Sequence, residues 1–203
     1  MSVPTLHIVD DDESFLRAVA RLLRAAGFEV KTFVSADDFL DHTPRSARGC
    51  VISDLQMPGM NGLAFQEALA EVGHTMPILF LTGNGDIPSS VSAMKRGAVD
   101  FLEKRASKEL LFDAVKRALA RDEAEHGQRA LERELRNRFA SLSDREKEVL
   151  AEVVRGKMNK EIAADLGIHE RTVKLHRTAI TTKLQVHSVA ELTHFWLLVG
   201  KKL

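Results

Sequence analysis

Residues 51–62 read VISDLQMPGMNG, a short apolar run that ends at Asp54 and passes into the turn Met57-Pro58-Gly59. With Cys50, this run is typical of a strand buried on both faces, and the Pro-Gly turn predicts that the strand stops there. Strands of this kind belong to parallel sheets, whose connections return through helices. The stretch therefore predicts an α/β fold with a carboxylate at one strand end.

The chain on either side repeats this arrangement. Five apolar runs are predicted as strands: Leu6–Val9, Glu29–Phe33, Cys50–Ser53, Ile78–Leu81 and Val99–Leu102. Helical patterns separate them, with Ser35 as one predicted N-cap, a turn at Gly83-Asn84-Gly85 and a helix from about Ile87 to Arg96. Five such βα units predict a doubly wound, five-stranded parallel sheet with helices on both faces.

Polar side chains gather at the predicted strand ends. They are Asp10, Asp11, Asp54, Thr82 and Lys104. In open parallel sheets this edge carries the chemistry. Carboxylates supply the oxygen ligands that Mg²⁺ prefers, and a carboxylate can take a phosphoryl group as an aspartyl phosphate. Lysine and threonine would then bind phosphoryl oxygens, so we expect a phosphoryl-transfer site with Mg²⁺ or Mn²⁺.

Residues 107–141 predict one long helix. Its first turns would face the sheet through Leu110, Leu111, Val115 and Leu119, and its later part is mostly charged. Residues 121–141 therefore form either a plain helical linker or a short dimerising coiled coil, and both remain open because Gly127 weakens the helix.

From Leu142 the pattern changes to short helices without strands. Ser143 to Glu146 is a capping box, Asn159 is the predicted cap of a second helix, and His169 stands before a third helix over about Glu170–Leu184. A fourth helix carries Leu192 and Phe195. Helices joined by tight glycine turns predict a small all-α, four-helix domain with a helix-turn-helix.

Composition agrees with two small domains. Residues 1–120 carry 13 Lys/Arg against 16 Asp/Glu, and residues 142–203 carry 11 against 8, so the two ends are suited to different partners. The single cysteine excludes an intramolecular disulfide and favours the reducing cytoplasm. No apolar run approaches the roughly 20 residues of a membrane span, so we expect no membrane partner.

Residues 3–120 resemble the receiver domain of two-component response regulators through IVDDDES, VISDLQMPGMNG, ILFLTGNGD and GAVDFLEK. The resemblance implies a flavodoxin-like sheet of order 2-1-3-4-5. It implies that Asp54 is the phosphoacceptor, that Lys104 and Thr82 are its catalytic partners, and that Thr82 and Phe101 are the switch pair. The implied metal ligands are Asp10, Asp11, Asp54 and the backbone carbonyl of Gln56.

Residues 142–200 resemble the LuxR-type (NarL/FixJ-like) helix-turn-helix output domain through LSDREKEVL, GKMNKEIAADLGI, ERTVKLHR and TTKL. The resemblance implies that the third helix enters the major groove. Helix geometry would turn Thr172, Lys174, Leu175, Thr178 and Thr181 outward. Lys174, Leu175 and Thr178 are the expected base contacts. The expected phosphate contacts are Arg171, Arg177, Lys160 and Lys183.

These features together predict a response regulator with three parts: a receiver at 1–120, a linker at 121–141 and a DNA-binding domain at 142–203. A sensor histidine kinase would phosphorylate Asp54. Either a phosphorylated homodimer would then bind promoter DNA, or phosphorylation would release a DNA-binding domain masked by the receiver, and the sequence leaves both routes open. RNA polymerase is a further candidate partner. Beyond its own phosphorylation and dephosphorylation, no enzymatic activity is expected.

Two other functions remain open. The pattern Asp10-x-Asp12-x-Ser14 loosely resembles haloacid-dehalogenase-type phosphatases, whose nucleophile would be Asp10 rather than Asp54. The second is a regulator that dimerises and binds DNA without phosphorylation. It arises because Arg105 follows Lys104 where receivers usually have proline after a cis bond. Either that bond stays cis before arginine, or the loop after the last strand is rearranged.

Overall fold

The computed structural model describes residues 3–83 and 87–199, which fall into two compact units, Met1–His126 and Gly127–Leu203. The predicted turn residues Asn84 and Gly85 lie outside the described residues. No helix among those described is both long enough and apolar enough to cross a membrane.

The first unit is built on a five-stranded parallel sheet. Its strands are β1 (Thr5–Val9), β2 (Glu29–Phe33), β3 (Gly49–Ser53), β4 (Ile78–Thr82) and β5 (Asp100–Glu103). Their order is β2-β1-β3-β4-β5, which confirms the predicted α/β fold and flavodoxin-like topology. Residues of β3 and β4 are almost entirely buried, as expected for the centre of a sheet covered on both faces. The fifth strand begins one residue later than predicted.

Helices connect the strands and cover both faces of the sheet. They are α1 (Glu13–Ala25), α2 (Ala36–His42), α3 (Gly62–Glu71), α4 (Ile87–Lys95) and the long α5 (Lys108–Ala140). Ser35 caps α2 as predicted, because its side chain accepts from the backbone N–H of Asp38. Asp12 caps α1 in the same way, accepting from the N–H groups of Ser14 and Phe15. These caps fix where each helix leaves the sheet edge.

Two apolar cores lie on opposite faces of the sheet. On one face, α1 and the first turns of α5 pack on the strands through residues such as Leu23, Leu111 and Val115. On the other face, α2, α3 and α4 contribute Phe39, Phe65 and further apolar side chains. The prediction that Leu110 faces the sheet is wrong. Its side chain is exposed, because the buried stripe of α5 continues through alanines at helical spacing instead.

The second unit contains the end of α5 and four short helices: α6 (Asp144–Val154), α7 (Asn159–Leu166), α8 (Glu170–Leu184) and α9 (Val189–Val199). Its core includes Val149, Ile162, Val173, Ile180 and Phe195, all of which are buried. Each helix therefore contributes its apolar stripe to one shared core.

The caps of these helices agree with the sequence except at α7. The capping box of Ser143 and Glu146 is present at α6, and His169 precedes α8 without a side-chain bond, as expected. The prediction that Asn159 caps α7 is wrong. Met158 is the cap residue and its N–H donates to Glu161, while the side-chain oxygen of Asn159 accepts from Arg177 at 3.0 Å.

Candidate functional site

The polar residues predicted at the strand ends meet at the carboxyl edge of the sheet. Asp10 directly follows β1, Asp54 follows β3, and Lys104 follows β5. These three strands bring the side chains to one edge because the sheet is parallel and β1 pairs with β3 in register. Asp10 and Asp54 are buried, whereas Asp11 is exposed.

Lys104 joins the two buried carboxylates. Its ammonium nitrogen lies 2.6 Å from Asp10 Oδ2 and 2.8 Å from Asp54 Oδ2, and 4.4 Å from the centre of the Phe15 ring. The lysine side chain is only 20% exposed, so the phenyl ring and the sheet edge shield this arrangement from water. The Lys104 ammonium group is therefore held between the oxygens of both carboxylates.

The Asp54 carboxylate is held from two sides. Its Oδ1 accepts from the backbone N–H groups of Leu55 at 2.6 Å and Gln56 at 3.3 Å, while Oδ2 faces Lys104. The backbone approaches closely here, because a Cβ on Gly62 would lie 2.4 Å from the carbonyl oxygen of Asp54. Glycine at 62 thus lets the chain pack closely against the backbone of Asp54 and Leu55.

Burial and ion pairing act on the ionisation of this cluster. Burial raises the pKa of Asp10, although the hydrogen bond from Lys104 works against that shift. Burial by itself would lower the pKa of Lys104, but its hydrogen bonds to Asp10 and Asp54 outweigh burial, and the lysine pKa is raised. Lys104 therefore stays charged at neutral pH and offers a permanent positive charge to an anionic group bound at this edge.

The carboxylates fit a hard divalent cation. Asp10, Asp11 and Asp54 each offer an oxygen, and these three oxygens lie within 4.8 Å of one another. Magnesium prefers an oxygen shell, so the donor chemistry matches, and an acidic cluster of this kind is present as expected. Gln56 follows two residues after Asp54 with its N–H directed at that carboxylate. The role of its carbonyl as a ligand stays a prediction.

Thr82 and Phe101 lie on the neighbouring strands β4 and β5. Thr82 ends β4 and is 1% exposed, and Phe101 pairs in register with Phe80 rather than with Thr82. The Phe101 ring is half-buried, 6.0 Å from the Phe80 ring. The two predicted switch residues thus lie on adjacent strands, two strand positions apart in register.

Arg105 does not follow a cis bond. The Lys104–Arg105 peptide is trans, and the chain turns through a backbone hydrogen bond from Ala106 N–H to the Glu103 carbonyl at 2.8 Å. The Arg105 and Glu103 side chains form an ion pair on the outer side of this turn. The second alternative raised by the sequence, a rearranged loop, is therefore the one observed, and Lys104 still reaches both carboxylates.

The outer face of α8 presents the residues predicted to contact bases. Lys174, Leu175 and Thr178 are exposed, and Leu175 leaves 64% of its surface open despite being apolar. Val173, Ile180 and Leu184 are buried on the opposite side, as predicted. Thr172 and Thr181, which were also expected to turn outward, are only partly accessible, because both are half-buried. Thr182, which the sequence reasoning missed, is exposed instead.

The four basic residues predicted to contact phosphates differ in their exposure and in their hydrogen-bond partners. Arg171 and Lys160 are exposed. Arg177 is half-buried and donates to Asn159, and Lys183 bonds both oxygens of the buried Glu146 at 2.9 and 2.7 Å. The Lys183 pair lowers the pKa of Glu146 and ties α6 to α8. Phosphate contact by these four residues stays a prediction, and Lys183 would first have to leave its carboxylate.

Each half of the chain matches a known protein family. Residues 6–116 match the response regulator receiver domain, and residues 140–196 match the luxR family of bacterial regulatory proteins. The two matches together cover most of the chain and coincide with the carboxylate cluster and with the α6–α9 helices.

Curated relatives and a solved structure match nearly the whole chain. The chain is 43% identical to the response regulator protein TodT of Pseudomonas putida F1 over 92% of this chain and 82% of TodT. It is 40% identical to the transcriptional regulatory protein FixJ of Azorhizobium caulinodans, over 96% of this chain and 92% of FixJ. The solved structure of the response regulator StyR, 44% identical, matches with a TM-score of 0.91 over 98% of this chain and all of StyR. The chain therefore belongs to the response regulators that join a receiver domain to a luxR-family DNA-binding domain and regulate transcription.

Proposed function

We propose that a sensor histidine kinase phosphorylates this protein on Asp54 and that the phosphoryl group controls its binding to promoter DNA. The observation that carries the proposal is Lys104, whose ammonium lies within 2.8 Å of both Asp10 and Asp54 at a buried sheet edge. A fixed cation beside two carboxylates prepares the site for an incoming phosphoryl group, whose negative charge would otherwise be repelled.

The transfer forms one bond and breaks another. A carboxylate oxygen of Asp54 attacks phosphorus, and the bond from phosphorus to the histidine nitrogen of the kinase breaks, so that nitrogen leaves with its electron pair. The backbone amides of Leu55 and Gln56 orient the carboxylate during this step. Lys104 then pairs with a phosphoryl oxygen in place of Asp54 Oδ2, and the Thr82 hydroxyl donates to another.

A divalent cation, Mg²⁺ or Mn²⁺, completes the proposed site. Asp10, Asp11 and Asp54 would hold it, with the carbonyl of Gln56 as a further ligand. When bound, the cation neutralises the negative charge shared by the carboxylate and the phosphoryl oxygens. Lys104 supplies a second positive charge, which its raised pKa keeps in place through the neutral range.

We propose that phosphorylation controls DNA binding through a local change at the ends of β4 and β5. Phosphorylation adds charge only at Asp54, so it must shift an existing two-state surface, in which Thr82 moves toward the phosphoryl group and Phe101 repacks. We propose that the altered face of α4 and β5 promotes a homodimer, which brings two α8 helices to two half-sites of promoter DNA. Contact with RNA polymerase and a cytoplasmic location follow from that role.

Two other functions make different predictions. A dehalogenase-type phosphatase would use Asp10 as nucleophile and turn over small phosphate esters. Asp10 and Asp54 both pair with Lys104, but Asp12, the second aspartate of the dehalogenase-type pattern, is engaged as the cap of α1. A phosphorylation-independent regulator would dimerise and bind DNA with Asp54 unmodified. The proposed regulator has no catalytic turnover beyond its own phosphorylation and dephosphorylation.

One experiment separates the three functions. The full chain and its Asp54→Asn and Asp10→Asn variants are incubated with acetyl phosphate and Mg²⁺, and intact mass and oligomeric state are measured. The proposal predicts one added phosphoryl group and a shift to dimer in the wild type, and neither in Asp54→Asn. Phosphoryl gain that is lost in Asp10→Asn but kept in Asp54→Asn would indicate the phosphatase-type nucleophile. A dimer of equal strength in both proteins, with no added mass, would indicate the phosphorylation-independent regulator.

A further inference from the structure

An apolar stripe runs along the exposed face of α8. Leu175, Thr178 and Thr182 are all exposed and stand at positions i, i+3 and i+7, which lie on one face of a helix. The exposed cations Arg171 and Lys174 lie beside this stripe on the same helix. A large apolar side chain exposed among cations on a recognition helix matches an occupant that carries both phosphates and apolar groups, which is the major groove of DNA.

The hydroxyl groups of the two threonines in the stripe already donate hydrogen bonds to backbone carbonyls of α8. Thr178 Oγ1 donates to the carbonyl of Lys174 at 3.1 Å, and Thr182 Oγ1 donates to the carbonyl of Thr178 at 2.9 Å. A hydroxyl has a single proton, so neither side chain can donate to a base while these bonds persist. With Oγ1 turned toward the helix backbone, the methyl group becomes the outer substituent of each threonine.

We propose that Leu175, Thr178 and Thr182 form a methyl-reading stripe that selects thymine in the half-site, an inference that rests on the proposed DNA-binding function. Thymine is the one base with a methyl group in the major groove, and apolar side chains recognise it by contact. The stripe spans eight residues, whose seven helical steps cover about 10 Å, which corresponds to roughly three base-pair steps. The stripe therefore reads up to three neighbouring thymines, and Lys174 supplies polar readout beside them.

Uracil in place of thymine tests the stripe without changing any hydrogen bond of the base pair. The full-length chain, treated with acetyl phosphate and Mg²⁺, first selects a site from a randomised DNA duplex pool. The selected duplex is then rebuilt with uracil at one thymine at a time, and affinity is measured. Loss of one buried methyl contact predicts about threefold to fivefold weaker binding at the contacted positions, and no change at the others.

Matched variants assign the contacts to residues. Thr178→Ser keeps the hydroxyl that bonds Lys174 and removes only the methyl, and Leu175→Ala removes the largest apolar group. Each should weaken binding to the thymine duplex and reduce the effect of uracil at one position. Thr193→Ser is the control, because Thr193 makes the same kind of hydroxyl bond, to Val189, on a different helix. That variant should bind both duplexes as the wild type does.

The outcomes distinguish the inference from the function on which it rests. If no duplex is enriched from the pool, DNA binding itself fails and the inference fails with it. If a site is enriched but uracil at every thymine leaves affinity unchanged, the protein binds DNA and the methyl-reading stripe is overturned. The same holds if Thr178→Ser and Leu175→Ala respond to uracil as the wild type does.

Discussion

Arg105 stands where the receiver pattern has proline, and Lys104 nevertheless reaches both buried carboxylates. The turn is closed by a backbone hydrogen bond from Ala106 to Glu103 and by the outer ion pair of Arg105 with Glu103. The Arg105 side chain is 87% exposed, and ion pairs between exposed side chains contribute between zero and about 1 kcal/mol. The direction of Lys104 therefore depends on the backbone turn more than on Arg105.

This reasoning predicts a contrast between two neighbouring substitutions. Arg105→Ala should change the rate of phosphorylation by acetyl phosphate less than about threefold, because only the exposed ion pair is lost. Lys104→Ala should lower that rate at least about tenfold, because the cation at the reacting oxygens is removed. The rates are measured by intact mass over time. Equal losses in the two variants would show that Arg105 determines the position of Lys104.

His7 is a second residue whose environment has a measurable consequence. It lies in β1 at 2% exposure against the rings of Phe33 and Phe39. Burial, followed by the nearby charges of Lys31 and His74, lowers the pKa of His7 from 6.5 to about 4. The folded receiver therefore holds a neutral imidazole that the unfolded chain protonates below pH 6.5.

The sign of the pH dependence follows from that difference. The contribution of His7 to stability is fully present above pH 6.5 and is lost as pH falls toward 4, by about 3 kcal/mol at most. His7→Val should reduce the loss of receiver stability between pH 7.5 and pH 4.5, measured by calorimetric unfolding. The exposed His187 in the other unit is the control, and His187→Gln should leave the profile unchanged. Parallel profiles for His7→Val and wild type would contradict the assignment.

At the scale of elements, local patterns predicted the strands and most helix ends, because burial on both faces and capping residues are local signals. The capping box at Ser143 and the bounds of α8 follow directly from such signals. The cap of α7 could not be predicted in this way, because the side chain of Asn159 accepts a hydrogen bond from Arg177, which lies on α8. The exposed Thr182 was missed for a similar reason, since the exact face of a helix depends on how it packs.

A contact distant in sequence fastens α5 to the sheet. The buried carboxylate of Asp122 accepts from Arg48 Nε at 3.2 Å, from an Arg48 terminal nitrogen at 3.1 Å and from the Gly49 N–H at 3.3 Å. Gly49 is required beside it, because a Cβ there would meet the carbonyl oxygen of Thr5 at 1.8 Å. No local sequence pattern predicts the pairing of Arg48 with Asp122, because the two residues are 74 positions apart. This contact joins the start of β3 to the part of α5 that belongs to the first unit.

Removing Asp122 should therefore cost more than removing an exposed partner. Asp122→Ala leaves the half-buried Arg48 guanidinium without its carboxylate, and the expected loss is about 3 kcal/mol of receiver stability in urea unfolding. Glu13→Ala breaks the exposed pair of Glu13 with Arg17 and should cost under about 0.5 kcal/mol. A loss below about 1 kcal/mol for Asp122→Ala would mean that the contact of Asp122 with Arg48 and Gly49 contributes little to receiver stability.

At the scale of the whole molecule, the sequence predicted two kinds of fold in one chain, because the alternation of strands and helices stops near residue 106 and capped short helices begin at 143. The carboxylate cluster was also predictable, since parallel strands gather their ends at one edge. The trans turn after Lys104 and the hydroxyl bonds along α8 were not, because each depends on the three-dimensional backbone.

The most direct test of the central claim is the DNA affinity of the full chain before and after phosphorylation. Wild type and Asp54→Asn are each titrated onto the duplex selected by the wild type, with Mg²⁺ and with or without acetyl phosphate. Regulatory couplings typically change affinity about 5- to 150-fold, so acetyl phosphate should tighten wild-type binding at least about fivefold and leave Asp54→Asn unchanged. Equal affinity of the wild type with and without a confirmed phosphoryl group on Asp54 would contradict phosphorylation control of DNA binding.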